Sequence, residues 1–222
     1  PSGLASGDIE IGDGPESPLE YAGPDASPHE RRWRAFKDPR YSARQEKVRM
    51  TTTVRAAARI PLPIETVVEN LRGLTRATDY VPGLTNPVIT TDKKEGVGAS
   101  RVVSHKQFGD MNETVVAWDE GVGMTIRLHK GDGPPKPFRE AHFRYEFAKL
   151  GDECEIRTAL AYTLPGGPLG QLLDFLILRR VFRKNVVDTA VCLAENYRTG
   201  EPVDPSRYAE LRKNALGWNP ER

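Results

Sequence analysis

The chain has 222 residues, of which 38% are hydrophobic and 28% are charged, and its net charge is +1 at pH 7. These proportions are ordinary for a globular protein, and the near-zero charge gives no bulk field to attract nucleic acid, so we expect no nucleic-acid partner. Two cysteines are too few for a disulfide framework, and no apolar run reaches the roughly 18 residues of a transmembrane helix. We therefore expect one folded core, located in the cytoplasm.

Residues 1–46 lack the apolar periodicity of a folded domain. Residues 1–28 contain six acidic residues and no Lys or Arg, which predicts a disordered or extended tail. Residues 29–46 combine arginines with Trp33, Phe36 and Tyr41, a pattern typical of an arm that docks on a protein surface. Base stacking by these aromatic rings is the alternative. If the arm docks on a second copy, the chain forms a homodimer.

We place the folded domain at residues 47–198 and a C-terminal extension at residues 199–222. β-branched residues alternate over residues 50–60, which predicts a strand that Pro61 and Pro63 end. Two short helical segments follow. Six further strands are predicted at residues 87–91, 99–106, 111–118, 124–128, 138–150 and 153–164. Because short turns join most of these strands, the pattern predicts one antiparallel sheet of six to seven strands.

The last predicted element is a long helix over residues 169–198, a stretch without Gly or Pro apart from Gly170 near its start. Its apolar residues recur every three or four positions, at Leu172, Phe175, Leu178, Phe182, Val186, Ala190, Leu193 and Tyr197. A helix of this length, about 45 Å at 1.5 Å per residue, needs an apolar partner along one face. The sheet is the only candidate, so we expect an α+β fold in which a curved sheet wraps around this helix.

Four pieces of sequence carry a resemblance to a known family. They are ARIPLPIETVVENL at residues 58–71, ATDYVPGLTNPVIT at 77–90, KKEGVGASRVV at 93–103 and NETVVAWDEGVGMTIRL at 112–128. In their order and spacing they resemble the helix-grip superfamily of START lipid-transfer domains, pollen-allergen-like proteins and polyketide cyclase/dehydrases. The resemblance covers residues 47–198. It implies an apolar cavity between the sheet and the long helix, and it leaves open binding or catalysis, because one fold hosts both.

Strand alternation predicts which side chains face this cavity. The polar candidates are Arg101, Glu113, Arg127, Tyr145 and Tyr162; the apolar or small ones are Phe143, Thr158, Leu172 and Leu176. Polar groups on a cavity face can orient a ligand carbonyl or move a proton. The alternatives are an outward position for the three charged residues, since a one-residue error inverts the face, and core packing for the tyrosines. The four scattered histidines predict no metal site, and we expect no cofactor.

Three functions remain compatible with the sequence. The first is binding or transfer of a hydrophobic small molecule such as a lipid, sterol, quinone or polyketide. The second is a cofactor-free enzyme of the cyclase or dehydratase type, and the third is a protein-interaction module. A cavity lined by apolar groups alone favours binding, whereas an Arg or Glu deep inside favours catalysis.

A basic cluster lies in the middle of the predicted long helix, formed by Arg179, Arg180, Arg183 and Lys184. Such a cluster is typical of a solvated helix face. The alternative, more specific interpretation is that the cluster contacts an acidic partner. This partner would be either anionic lipid headgroups in a transient membrane contact or the acidic N-terminal tail.

Overall fold

The computed structural model of the chain describes residues 51–72 and 74–217. The predictions for residues 1–46, namely the acidic tail, the basic arm and a homodimer formed through it, lie outside these residues. They stay predictions.

Seven antiparallel strands form one sheet in the order β1-β7-β6-β5-β4-β3-β2. The strands are β1 Thr52–Ile60, β2 Leu84–Ile89, β3 Ser100–His105, β4 Gly109–Asp119, β5 Gly123–His129, β6 Glu140–Leu150 and β7 Glu153–Thr163. Consecutive strands from β2 to β7 are neighbours, as the short turns predict, and β1 closes against β7. The order therefore places the first and second strands at opposite edges, joined across the sheet by the helical segments between them.

The helices are α1 Ile64–Leu71, α2 Gly167–Leu173, α3 Arg179–Thr199 and α4 Tyr208–Leu211. A 3-10 helix at Leu74–Asp79 follows α1, and two more, Pro205–Arg207 and Arg212–Asn214, flank α4. A π-helical turn at Asp174–Leu178 joins α2 to α3, so the predicted long helix is present but irregular. Gly200 ends it in the left-handed conformation, with φ 77°, which a glycine adopts without strain. The predicted α+β helix-grip architecture is confirmed.

Helix α3 packs on the concave face of the sheet against β1 and β7. The predicted stripe is buried along α3, where Phe182, Val186, Ala190 and Leu193 are at most 1% exposed. The Phe182 ring lies among other rings, with centroids 4.8 Å from Tyr162 and 5.0 Å from Phe138. This aromatic group and the helix together fill one end of the space enclosed by the sheet.

The described part of the C-terminal extension packs against the domain. Val203 and Leu211 belong to the hydrophobic core, and Leu216 pairs with Ala57 at the free edge of β1. The buried carboxylate of Asp188 on α3 accepts hydrogen bonds from Arg212, at 3.0 Å from Nη2, and from Lys184. The extension thereby covers the side of α3 that the sheet does not reach.

Candidate functional site

A buried ion pair lies on the concave face of the sheet. Arg101 of β3 and Glu113 of β4 are directly opposite each other in register. The Arg101 Nε donates to Glu113 Oε2 at 2.6 Å, and Nη2 contacts the same oxygen. Arg101 is 2% exposed, and the Glu113 side chain is 12% exposed. The carboxylate is thus the member of the pair that a molecule entering from solvent meets first.

Burial of this pair opposes stability unless the two charges remain together. Desolvation costs several kcal/mol per ion in a protein interior, and apolar residues of similar volume are often as stable or more stable. Burial by itself lowers the pKa of Arg101, but the charge and hydrogen bond of Glu113, together with two nearby tyrosines, raise it above its ordinary value. The arginine is therefore a permanent cation at the bottom of an apolar face.

Two tyrosines lie beside the pair, and a third packs against one of them. Tyr80 follows the first 3-10 helix, Tyr145 lies on β6 and Tyr197 on α3. The Tyr80 ring meets the other two edge to face, with centroids 6.5 Å from Tyr145 and 6.1 Å from Tyr197. The buried Tyr197 hydroxyl has no hydrogen-bond partner among the described residues. An unpaired buried hydroxyl is unfavourable, so an acceptor brought next to the Tyr197 hydroxyl would remove that cost.

The tyrosines stay protonated at neutral pH. Burial raises the pKa of Tyr80 to about 12 and the pKa of Tyr145 well above its ordinary value. Burial also raises the pKa of Tyr197. The site therefore combines neutral O–H donors, one fixed cation and one carboxylate, a set that can stabilise negative charge developing on a ligand oxygen.

An apolar wall adjoins the ion pair on the same face. Leu128 of β5 is directly opposite Glu113, and Ile126 is opposite Phe143 of β6. The partly buried Phe143 ring lies 4.8 Å from Tyr145, measured between centroids. The predicted residues Arg101, Glu113, Phe143 and Tyr145 thus lie together around one apolar surface.

Four other predicted residues lie elsewhere. Arg127 is exposed and donates to the Asp132 carbonyl at 3.1 Å, because Ile126 and Leu128 take the inward positions of β5. Thr158 faces inward but donates to the Val186 carbonyl of α3 at 3.2 Å, so the helix occupies the place expected for a ligand. Leu172 and Leu176 are 55% and 53% exposed, and their predicted inward orientation is wrong. Leu172 lies in α2, which buries none of its residues, and Leu176 lies in the π turn, where Asp174 is the buried residue.

Tyr162 belongs to a second polar cluster, at the opposite edge of the concave face. Its hydroxyl donates to the buried Asp174 carboxylate at 2.5 Å. Thr52 and Arg179 donate to the same carboxylate at 3.0 and 3.1 Å. A surface cleft of about 470 Å³ adjoins this cluster, lined by Thr51, Thr52, Thr53, Gln171, Asp174, Phe175 and Arg179. Asp174 was not predicted as a site residue, although a lone acid within an apolar run is a signal for one.

Tyr80 and Tyr197 were also missed as site residues. Tyr80 lies in the aromatic-Pro-Gly turn and Tyr197 at the end of the helical stripe, and both patterns indicate packing. Among the residues described, no group of three His, Cys, Asp or Glu side chains could hold a metal ion, and no helix is long and apolar enough to cross a membrane.

A family model described as polyketide cyclase / dehydrase and lipid transport matches residues 51–197. None of the curated proteins matches the sequence. A crystal structure of a protein from Thermus thermophilus is similar, with a TM-score of 0.54 and 18% identity over 67% of this chain and 99% of that one. Norcoclaurine synthase from Thalictrum flavum, in complex with dopamine and hydroxybenzaldehyde, has a TM-score of 0.51 and 13% identity over 66% and 86%. At these identities the likeness shows the fold.

Proposed function

Because the chain belongs to the polyketide cyclase/dehydrase and lipid transport family, we propose that it binds a hydrophobic small molecule carrying a carbonyl or phenol oxygen. The observation that carries the proposal is the buried Arg101–Glu113 pair, with its tyrosines, beside the apolar wall of the concave face. Ligand sites combine mostly apolar linings with a few polar groups that fix orientation. Acyl lipids, quinones and polyketides meet this description, and sterols carry a hydroxyl that can use the same donors and acceptor.

The polar groups favour an oxygen-bearing ligand over a pure hydrocarbon. The protonated tyrosines, including the unpaired Tyr197 hydroxyl, donate to a carbonyl oxygen. Glu113 accepts from a phenol or enol hydroxyl. The ring of Phe143 and the side chain of Leu128 contact the apolar body of the ligand.

The same pair favours a cofactor-free cyclase or dehydratase as the second candidate. In such a reaction Glu113 takes a proton from a carbon next to a ligand carbonyl, and the electron pair moves onto the carbonyl oxygen. Arg101 and the tyrosine hydroxyls stabilise that oxygen. The enolate carbon then forms a bond to a second carbonyl, which takes the proton back from Glu113. Loss of water from the resulting alcohol completes a dehydration.

Binding is tested with calorimetry and fluorescent-probe displacement against fatty acids, sterols, quinones and aromatic polyketides. We expect affinity in the micromolar range, about −8 kcal/mol, for at least one class. Tyr145→Phe removes one donor and should weaken binding of the carbonyl-bearing ligand, while Arg127→Met, on the outer face, should not. Arg101→Met with Glu113→Leu replaces the pair without stranding a charge, so the fold should persist while binding is lost.

Catalysis is separated from binding by Glu113→Gln. If the natural chain cyclises a bound polyketide and the Glu113→Gln chain leaves it unchanged, the result supports the cyclase or dehydratase candidate. Equal turnover by both proteins would show that Glu113 is not the base of the reaction. No turnover by either protein restricts the function to binding. Failure of all four ligand classes to bind would contradict both candidates.

A further inference from the structure

The first half of the C-terminal helix exposes an unusual amount of apolar surface. Its six large apolar side chains, Leu169, Leu172, Leu173, Phe175, Leu176 and Ile177, are between 49% and 78% exposed. Helix α2 buries none of its residues, and the π turn buries only Asp174. Isolated exposed leucines are normal, but a contiguous patch of this kind marks an interaction site. We call these six residues the apolar face.

Basic residues follow this face directly. Arg179, Arg180 and Arg183 are exposed in the first turns of α3. The Arg179 guanidinium lies 6.0 Å from the centre of the Phe175 ring, so the charged and apolar parts adjoin. Between residues 167 and 187 the sequence contains one acid, Asp174, and its carboxylate is buried. Arg180 and Arg183 form no ion pair with any described carboxylate. Among the described residues, this surface is therefore apolar, and the positive charges of Arg180 and Arg183 have no acidic partner.

We infer that the apolar face, together with Arg180 and Arg183, is an interfacial docking surface for an anionic lipid membrane. Helices that lie in the headgroup region insert Leu and Phe side chains into the acyl boundary and keep Lys or Arg at the phosphates. Positive charge beside inserted apolar side chains is the complement of an anionic leaflet. The segment lies on such a surface without spanning it.

The distribution of the six side chains favours a bilayer over a protein groove. At 3.6 residues per turn they cover about 200° of the helix circumference, and Asp174 points to the remaining side, toward the sheet. A groove contacts a narrower stripe of a helix. Lipid surrounds an inserted helix on every side that the protein leaves open. Docking would bring the membrane next to the cleft beside Asp174 and Arg179.

The test is co-sedimentation of the full chain with vesicles of phosphatidylcholine alone and with vesicles that also contain phosphatidylglycerol. We expect binding to the anionic vesicles that weakens as salt is added. Phe175→Ser with Leu176→Ser, and separately Arg180→Glu with Arg183→Glu, should each weaken binding by about tenfold or more. The changed side chains are exposed, so thermal unfolding followed by circular dichroism should be unchanged.

Matched controls lie on other exposed positions. Val88 and Val97 are 59% and 50% exposed, and Lys94 and Lys149 lie in the β2–β3 and β6–β7 hairpins. Val88→Ser with Val97→Ser, and Lys94→Glu with Lys149→Glu, should leave vesicle binding unchanged. The inference is overturned by absent vesicle binding, or by equal losses in variants and controls. It is also overturned if sedimentation velocity shows a dimer that Phe175→Ser with Leu176→Ser dissociates. Vesicles without a soluble ligand are used, so the result is independent of the proposed function.

Discussion

The two halves of the C-terminal helix have opposite environments, although both are rich in apolar residues. From Gly167 to Leu178 the helix exposes six large apolar side chains and buries an aspartate. From Arg179 to Thr199 it buries twelve of 21 residues, including the charged Asp188 and Glu195. Strand β1, strand β7 and the C-terminal extension enclose the second half. Hydrophobicity within a helix therefore does not decide burial; the elements that pack against it do.

Two phenylalanines of the predicted stripe lie in different halves of the helix, Phe175 in the first and Phe182 in the second. Phe182→Ala should cost about 3–5 kcal/mol in the free energy of unfolding, because Phe182 is 1% exposed and packs among three rings. Phe175→Ala should cost less than about 0.5 kcal/mol, since Phe175 is 66% exposed. Urea titration of both variants measures the difference. Equal losses would mean that both halves are packed alike.

The junction between the halves is held by Asp174. Asp174→Ala should cost about 1.5–3 kcal/mol, because it leaves the Tyr162 hydroxyl unpaired and removes hydrogen bonds from Thr52 and Arg179. Hydrogen exchange should then accelerate over residues 167–178 while α3 keeps its protection. Tyr162→Phe is the control, since it removes the hydroxyl and not the carboxylate. Acceleration throughout α3 would show that the two halves unfold together.

The extension contributes to the burial of the second half through Arg212. Arg212→Ala should cost about 1–2 kcal/mol, because the buried Asp188 keeps only Lys184 as a partner among the described residues. Chemical denaturation measures the loss. Lys213→Ala, at the neighbouring exposed position, should be neutral. If Arg212→Ala is neutral as well, the extension is held by its apolar contacts alone.

The smallest expected effect is a pH dependence at Glu195 of α3. Hydrogen bonds from Arg198 and then Arg207 hold the pKa of Glu195 below its ordinary value in the folded chain. The unfolded chain, with a Glu pKa of about 4.3, then binds the proton more readily. The stabilisation is complete above this value and is lost as the pH falls through the folded pKa. Glu195→Gln should flatten the acid side of the stability profile measured between neutral and acidic pH. An unchanged profile would contradict the pairing.

The inward orientation of Arg101, Glu113 and Tyr145 could be predicted because strand alternation survives folding wherever the register is regular. The predicted inward orientation of Arg127 was wrong. The apolar residues Met124, Ile126 and Leu128 alternate with it along β5 and already indicated that Arg127 faces outward. On β4 a register shift between Val115 and Ala117 changes the alternation, so that Trp118 and not Ala117 is opposite the inward Met124. A bulge of this kind depends on how neighbouring strands twist, which a single strand does not encode.

The small residues Ala56, Thr158 and Ala190 face the space between the sheet and the long helix, and such residues are also expected around a cavity. In the structure they lie where α3 approaches the sheet, and the Thr158 hydroxyl bonds to the helix backbone. The sequence pattern was correct in detecting space between side chains. The pattern of small residues does not distinguish a ligand from a helix in that space, since both need small residues opposite them.

The sequence by itself determined the seven strands, their antiparallel connection and the long closing helix with its apolar stripe. These depend on periodicity and turns, which act over a few residues. Only the tertiary structure decided that Arg101 meets Glu113 beside Tyr80 and Tyr145, and that Asp174 replaces Phe175 on the buried side of the helix. These contacts join residues distant along the chain, and the π turn that rotates the helix is stabilised by partners on β1 and β7. No local pattern contains those partners.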